Sequence, residues 1–338
     1  MLGRLLAGED LDDPTCAAAM DEIMEGNATA AQIAAFLATL RMKGETAEEV
    51  AGLVRSMRAR ALPMDVAEPL VDTCGTGGDR AGTFNVSTVS AIVAAGAGAR
   101  VAKHGNRAAS GKCGSADLLE AYGVVIDLPP AGVSACIEQV GIGFCFAPTF
   151  HPAMRHAIPV RRELGVPTVF NFLGPLTNPA GARHQTIGVS DRAMAAKMAG
   201  VLARLNTARA LVFHGADGLD ELTTTGPSTV WEVRGEAVEE YQLDPADLGV
   251  ARASVADLRG GDVQANREIA DAVLAGKPGP PRDIAALGAA AALVAVGVAA
   301  DLVAGLQAAY ESLDSGAAAD VLSRWVEVSQ EQRAVQRS

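Results

Sequence analysis

Two glycine-rich segments carry most of the chemistry legible in this chain. One is Gly75-Thr76-Gly77-Gly78-Asp79; the other is Lys103-His104-Gly105-Asn106-Arg107, running on to Gly114-Ser115. Between them lies an apolar Ala/Val run. Glycine lets backbone N–H groups approach an anion closely. Lys, Ser, Thr and Asn beside such turns add side-chain donors for phosphate oxygens. One loop of this kind says little. Two, joined by a helix-like segment, point to a ligand with several phosphates.

Each residue has a functional and a bland reading. Gly75 and Gly78 open a loop of N–H groups for a phosphate, or simply a tight turn. Asp79 accepts from a ribose hydroxyl, orders the loop, or caps a helix. Asn85-Val86-Ser87-Thr88 opens the next helix, where N–H groups and hydroxyls favour an anion; an ordinary N-cap by Asn85 or Ser87 is nearly as good. Lys103 and Asn106 are the better candidates of the second segment. His104 can equally be a satisfied structural histidine, and Arg107 a paired surface charge. The small residues Ala108-Ala109-Ser110-Gly111 could wrap a phosphate. Asp220-Glu221, followed by three threonines, suits Mg2+, a hard cation that takes carboxylate and phosphate oxygens; alone, the pair reads as a solvated acidic turn. Arg161 and Arg162 could offer a carboxylate a bidentate grip, or be helix-terminal charges.

The elements that must position these residues fall into two textures. The first sixty-odd residues read as three or so short amphipathic helices. Asp13-Pro14 starts one, and capping boxes at Thr29–Gln32 and Thr46–Glu49 start two more. Their apolar faces need cover from the rest of the chain or a second subunit. From about Pro69, strands at Leu70–Asp72, Ala99–Ala102, Val124–Ile126, Gly143–Ala147 and Leu211–His214 alternate with helices at Ser87–Ala97, Ser115–Tyr122 and Val133–Val140. This predicts an α/β domain with a mostly parallel central sheet flanked by helices, and ligands at the carboxyl ends of its strands. Residues 1–66 form the expected helical domain and 67–338 the α/β domain. Residues 161–182 read as a loop-rich crossover between the lobes. A hairpin follows at Thr229–Val233 and Glu236–Tyr241, then Ala-rich helices from Asn266.

The 338 residues include 40 acidic against 28 basic, a formal net charge of -12. This argues against general nucleic-acid binding, which needs clustered Lys and Arg. Five scattered cysteines without a CxxC pair read as reduced thiols, hence a cytoplasmic protein. Ile284–Ala300 reads as a buried helix, not a membrane span. There is no Ser-His-Asp or Cys-His arrangement to suggest a nucleophile.

Taken in order, the motifs DTCGTGGD (72–79), TFNVST (83–88), KHGNRAAS (103–110) with GSAD (114–117), NFLGPLTNP (171–179), Asp220-Glu221 and LRMKGET (40–46) resemble the anthranilate phosphoribosyltransferases of tryptophan biosynthesis. The resemblance implies a small helical domain beside a larger α/β domain. It implies a homodimer formed through the helical domain, with Mg2+ as cofactor, about two ions per subunit. It also implies transfer of the phosphoribosyl group of phosphoribosyl pyrophosphate to anthranilate. Carried over, Gly75, Gly78, Asp79, Thr83, Asn85, Val86, Ser87, Thr88, Lys103 and the run His104, Gly105, Asn106, Arg107, Ala108, Ala109, Ser110, Gly111, with Ser115, would bind phosphoribosyl pyrophosphate. Gly75, His104, Asn106 and Arg161 would meet anthranilate. Ser87, Asp220 and Glu221 would ligate the metal. The chain departs from the family pattern at Arg80, Cys113, Pro167 and Gly288, where glycine, serine, arginine and asparagine are common. A pyrimidine nucleoside phosphorylase on the same scaffold and a non-catalytic nucleic-acid-binding relative are the competing readings.

Overall fold

The structure is a computed structural model; it describes residues 1–79, 81–108 and 111–337. A seven-stranded sheet forms the centre, in the order β3-β2-β1-β4-β5-β6-β7. The strands are β1 Val71–Gly75, β2 Val101–Gly105, β3 Ile142–Phe146, β4 His184–Gly188, β5 Arg209–Gly215, β6 Ser228–Arg234 and β7 Ala237–Leu243. The first five run parallel, and the hairpin β6–β7 closes one edge antiparallel. The expected α/β class and mostly parallel sheet are therefore present.

Strand β5 shows how the two sides of the molecule are built. Leu211 and Phe213 join one hydrophobic cluster, Ala210 and Val212 the other, as alternation along a strand demands. The first cluster takes in the helices Val86–Gly96, Pro130–Val140 and Pro280–Val296. The second joins the N-terminal helices to the opposite face of the sheet through Ile158–Leu164, Phe170–Leu176 and Arg192–Ala203. The alanine-rich run 284–296 is buried along nearly its whole length. Among the described residues no helix is long and apolar enough to cross a membrane.

Several local expectations need correction. The helical part has four helices, since Leu2–Leu6 precedes the others, and Asp12 rather than Asp13 caps the second by accepting the Thr15 N–H at 2.9 Å. Both threonine capping boxes form. Val124–Ile126 is not a strand: it is a buried turn segment whose Val125 N–H donates to Ser329 Oγ at 3.0 Å. Strand β4 was not expected, because His184-Gln185-Thr186 lacks an apolar run, yet it lies at the sheet centre between β1 and β5. The crossover 161–182 is more helical than its prolines and glycines suggest. Helix Phe170–Leu176 contains Pro175 and buries Phe170, Leu173 and Leu176. Arg58 of the N-terminal helices pins this helix's end, donating from Nε to the Leu176 carbonyl at 2.8 Å.

Candidate active site

The carboxyl ends of β1, β2, β4 and β5 converge, and most of the chemistry-bearing residues sit there. Strand β1 runs on through Cys74 to Gly75, and the loop beyond it turns towards the segment after β5. The Gly77 N–H donates to Asp220 Oδ2 at 2.7 Å. The Thr76 N–H donates to the Gly188 carbonyl at 2.9 Å, and Ser190 Oγ to the Gly77 carbonyl at 2.9 Å. Gly75 and Gly188 make this close packing possible. A Cβ at Gly75 would collide with the Asp220 carboxylate, and one at Gly188 with the Asp220 carbonyl. Asp217 shapes the turn from the other side. Its carboxylate accepts from Thr223 Oγ1 at 2.7 Å, from Thr225 Oγ1, and from the Leu219 N–H at 3.1 Å.

Burial is the first cause that pushes the Asp220 carboxyl up to about 7, followed by the charge of Asp79 lying against it. Burial likewise raises Glu221 well above the usual carboxylate range, with Asp220 adding to it. Part of the Glu221 surface stays open to the cleft, while its carboxyl is closely surrounded and faces the Ser87 N–H. One oxygen of Asp79, Oδ2, is buried with no partner among the described residues. Crowded carboxylates held partly against ionisation, with an unmatched acceptor beside them, fit a divalent cation. The hard-oxygen set of Asp220, Glu221 and the Ser87 hydroxyl suits Mg2+. Among the described residues no group of three or more His, Cys, Asp or Glu side chains is placed to hold a metal ion by itself, so a cation at this pair would draw further oxygens from the Ser87 hydroxyl and from a bound phosphate.

Lys103 lies inside β2, not beyond its end as expected. It is 1% exposed, donating from Nζ to the Thr73 carbonyl at 2.6 Å and contacting Ser87 Oγ at 3.4 Å. Burial lowers its pKa, and the carboxylates of Asp72 and Glu221 act against that. Its charge therefore sits beneath the acidic pair and the start of helix Val86–Gly96. Thr88 is buried and its Oγ1 has no partner among the described residues, while Val86 is 1% exposed and its N–H already donates to the Phe84 carbonyl at 2.7 Å. Asn85 ties the two glycine segments together: its Nδ2 donates to the Cys113 carbonyl at 3.1 Å, and the Cys113 thiol donates to its Oδ1 at 3.3 Å. The thiol thus takes up the donor role that a serine hydroxyl would have there. Thr83 is partly exposed and paired in a short antiparallel bridge with Arg259.

The second segment closes on itself. The Asn106 carbonyl accepts from the Ala116 N–H and from Ser115 Oγ, both at 3.2 Å. A Cβ on Gly105 would strike Ser115. Asp117 holds the loop: its carboxylate accepts from the Gly114 N–H at 2.8 Å and the Ala108 N–H at 3.1 Å. Arg107 does not face the cleft chemistry. Its guanidinium is taken up by Asp117 and Glu120 on the exposed side. Gly111 is exposed. Arg80, Ala109 and Ser110 lie outside the described residues.

On the helical side, His104 and Arg161 both lie against helix Phe170–Leu176. His104 Nδ1 pairs with the Gly174 carbonyl at 3.1 Å, and the Arg161 guanidinium lies 5.2 Å from the centre of the Phe170 ring. Phe170 and Gly174 are one turn apart on that helix, hence on one face. Burial, then the neighbouring His151, drives the His104 pKa down to about 3, so its imidazole is neutral. With Nδ1–H donating to a carbonyl, Nε2 keeps a lone pair and has no partner among the described residues. Arg161 is half-buried, and no carboxylate pairs with it among the described residues. Arg162 is exposed.

Of the remaining departures, Gly288 has a local reason. Ser90 Oγ fills the space beside it, donating to the Ala285 carbonyl at 3.0 Å, and a Cβ at 288 would approach Ser90 Oγ to 2.5 Å. Nothing in the structure explains Pro167. Three contributors were not picked out from sequence: Gly188, Asp117 as a loop holder, and Asn266. The Gly114-x-x-Asp117 spacing before a helix was a usable signal for the second. The other two are visible only in three dimensions.

A helical lobe beside a doubly covered sheet, with glycine loops and an acidic pair at the strand ends and an arginine on the helical side that has no carboxylate partner among the described residues, fits a glycosyl transferase. Residues 1–61 match the helical bundle domain of the glycosyl transferase family, and residues 67–319 match its a/b domain. The anthranilate phosphoribosyltransferase of Roseiflexus castenholzii is 57% identical over 96% of each chain, and that of a Nocardioides species 58% identical over 96% of this chain and 97% of its own. The crystal structure of the enzyme from Thermus thermophilus superposes with a TM-score of 0.93 at 44% identity, covering 97% of this chain and 99% of that one. The enzyme from Saccharomyces cerevisiae, solved in complex with PRPP and Mg, gives a TM-score of 0.89 at 27% identity, covering 98% and 97%. The chain belongs to the anthranilate phosphoribosyltransferase family.

Proposed function

We infer that the cleft between the helical lobe and the strand ends is where the phosphoribosyl group changes hands. The chain transfers the 5-phosphoribosyl group of phosphoribosyl pyrophosphate (PRPP) to the amine of anthranilate, releasing pyrophosphate. The observation that carries the residue assignment is the 2.7 Å bond from Gly77 N–H to Asp220 Oδ2, which welds the glycine loop to the acidic pair. It sets a phosphate-cradling backbone beside the carboxylates that suit a metal.

The chemistry asks for charge stabilisation and placement more than for acid–base work. The C1–pyrophosphate bond breaks with oxocarbenium-like character at the ribose, and the bonding pair leaves with pyrophosphate. The neutral aromatic amine then supplies its lone pair to C1 and loses a proton to solvent. Lys103, the Ser87 and Thr88 hydroxyls at the start of helix Val86–Gly96, Thr83, Ser115 and the Gly75–Asp79 and Asn106–Gly111 loops, the Arg107 side chain apart, hold PRPP. Charge beneath the leaving group favours its departure. Asp220, Glu221 and Ser87 would hold Mg2+, about two ions per subunit, and the metal would supply counter-charge to the leaving pyrophosphate. Arg161, unpaired beside Phe170, receives the anthranilate carboxylate, with Gly75, Asn106 and neutral His104 close to the ring and amine. Binding both reactants in one orientation supplies much of the rate.

Residues 1–66 with 161–182 serve as the anthranilate-side lobe and 67–338 as the PRPP lobe. The exposed Leu6 and Met42 on the N-terminal helices support a homodimer formed through the helical lobe, and five unpaired thiols support a cytoplasmic location.

The direct test follows anthranilate fluorescence as PRPP and Mg2+ are added. Signal should fall only when all three are present. Phosphorolysis of thymidine or uridine without Mg2+ would replace this reading with the phosphorylase one. Arg161→Ala should raise the anthranilate KM by roughly tenfold to hundredfold, the scale of a lost charge-assisted pair, and leave the PRPP KM nearly unchanged. An unchanged anthranilate KM removes Arg161 from the site.

A further inference from the structure

A strand-like clasp far along the chain grips the base of the PRPP site. The Phe84 N–H donates to the Leu258 carbonyl at 3.1 Å, the Gly260 N–H donates to the Gly82 carbonyl at 2.8 Å, and Thr83 bridges to Arg259. The approach is close enough that a Cβ on Gly260 would come within 2.8 Å of the Phe84 nitrogen and overlap the Asn266 side chain. Asn266, in the first turn of helix Val263–Leu274, is 2% exposed. Its Oδ1 accepts the Gly261 N–H at 2.9 Å, and its Nδ2 donates to Asn85 Oδ1 at 3.1 Å.

These bonds form a relay with a fixed sense. An amide side chain has a donor end and an acceptor end, and its neighbours decide which faces where. The Gly261 N–H requires the oxygen of Asn266, so the nitrogen of Asn266 must face Asn85. That nitrogen requires the oxygen of Asn85, so the nitrogen of Asn85 faces the Cys113 carbonyl at 3.1 Å, with the Cys113 thiol completing the oxygen's partners. Asn85 stands at the entrance to helix Val86–Gly96, and Cys113 lies next to Gly114, which precedes helix Ser115–Tyr122. The two helix starts offered to PRPP are therefore spaced through Asn85, and Asn85 is oriented from Asn266.

We propose that Asn266 is a positioning residue for PRPP, acting through Asn85 to fix the spacing of the two phosphate segments. Asn85 is then a strut: both ends of its amide are engaged within the protein, the Val86 and Thr88 N–H groups after it donate to the Phe84 and Asn85 carbonyls, and the donors left for phosphate are the Ser87 and Thr88 hydroxyls. The proposal rests on the PRPP reading of the Asn85–Thr88 segment.

The sharpest variant is Asn266→Asp, which keeps the size and the acceptor for Gly261 but replaces the donor with an oxygen facing Asn85 Oδ1. The Asn85 amide must then turn over and set its oxygen against the Cys113 carbonyl. The PRPP KM should rise about tenfold, equivalent to about 1.4 kcal/mol, while the anthranilate KM stays within about twofold. Asn266→Ala, which removes the relay without repulsion, should show a smaller rise of the same kind. In an Asn85→Ala background, Asn266→Asp should add nothing further, because the relay has already lost its middle member. Should Asn266→Asp prove poorly folded, Asn266→Ala and its double mutant with Asn85→Ala carry the same comparison. A PRPP KM unchanged in a folded variant overturns the proposal, as does an equal rise in both KM values, or full additivity with Asn85→Ala. A wild-type protein whose turnover does not saturate with PRPP overturns the underlying site reading itself, which the variants alone could not do.

Discussion

The two glycine-rich segments look alike as sequence and are built on opposite principles. Gly75–Asp79 is held from outside: its N–H groups and carbonyls are bonded to Asp220, Gly188 and Ser190, residues contributed by the neighbouring strand β4 and by the segment after β5. Lys103–Ser115 is held largely from inside: Asn106, Ser115 and Asp117 tie the loop to itself and to the helix it introduces. In the first segment glycine makes room for a protein carboxylate. In the second it makes room for the loop's own serine. Glycine content alone marks close approach without saying what approaches.

The most severe way to break this comparison is Gly188→Ala. Its Cβ would overlap the Asp220 carbonyl, which is backbone and cannot swing away. Overpacking of this kind costs about 1–3 kcal/mol or more, and here the displaced residue is a candidate metal ligand. Turnover should fall about a hundredfold or more, with a raised Mg2+ requirement. A variant with a normal Mg2+ titration would show that Asp220 does not depend on this packing.

Next in size is an effect at the start of the second segment. His104 is buried and neutral, its pKa down at about 3 against an ordinary 6.5. Between these values the unfolded chain binds a proton that the folded chain does not. Stability is therefore complete above pH 6.5 and falls as pH drops towards 3, by about 1.4 kcal/mol per pH unit for this one group. His104→Gln should flatten the loss of urea stability between pH 6.5 and pH 5, relative to wild type, by about that amount per unit. Parallel curves for the two proteins would place the imidazole in a more polar setting than the Gly174 and His151 contacts describe.

How much of this could be read beforehand depends on where a residue's partner lies. The capping boxes at Thr29 and Thr46, the helix Ser115–Tyr122 and the hairpin β6–β7 were legible because their determinants are a few residues apart. Strand β4 was not, since its polar side chains find partners only across the folded molecule, as when Gln185 Nε2 donates to the Pro175 carbonyl at 2.8 Å. Helix Phe170–Leu176 was hidden by Gly174 and Pro175, whose local cost is offset by burying Phe170 and Leu173 against the N-terminal helices. The candidate site shows the same division. Gly75, Asp79, Lys103 and Asp220-Glu221 stand out as types in motifs. Gly188 and Asn266 act across more than a hundred residues of chain, and no spacing announces them.

Asp117 tests the self-contained half of the comparison. Its carboxylate collects the N–H groups of Gly114 and Ala108, and these contacts with Arg107 hold its pKa below the usual carboxylate range against the effect of burial. Asp117→Ala would leave two loop donors without their acceptor, a loss of roughly 1–3 kcal/mol for a charged partner. The PRPP KM should rise about tenfold, and the Mg2+ titration should stay where it is, because the acidic pair is anchored to the other segment. A shifted Mg2+ titration would mean the two segments are not separately supported.

Arg107 carries the smallest expected effect and the most pointed one, since its type suggests a phosphate ligand. Its guanidinium is instead committed to Asp117 and Glu120, and it is close to half exposed, as is Glu120. An exposed pair of this kind contributes about 0.2–1 kcal/mol, and the Asp117 carboxylate keeps its backbone donors without it. Arg107→Ala should therefore raise the PRPP KM no more than about twofold to threefold, with the difference from wild type shrinking as salt is added and the pair is screened. A tenfold or larger rise that persists in salt would mean that Arg107 abandons its carboxylates for the ligand when PRPP binds. The second segment would then be remade by its substrate, and the first would be the only one built in advance.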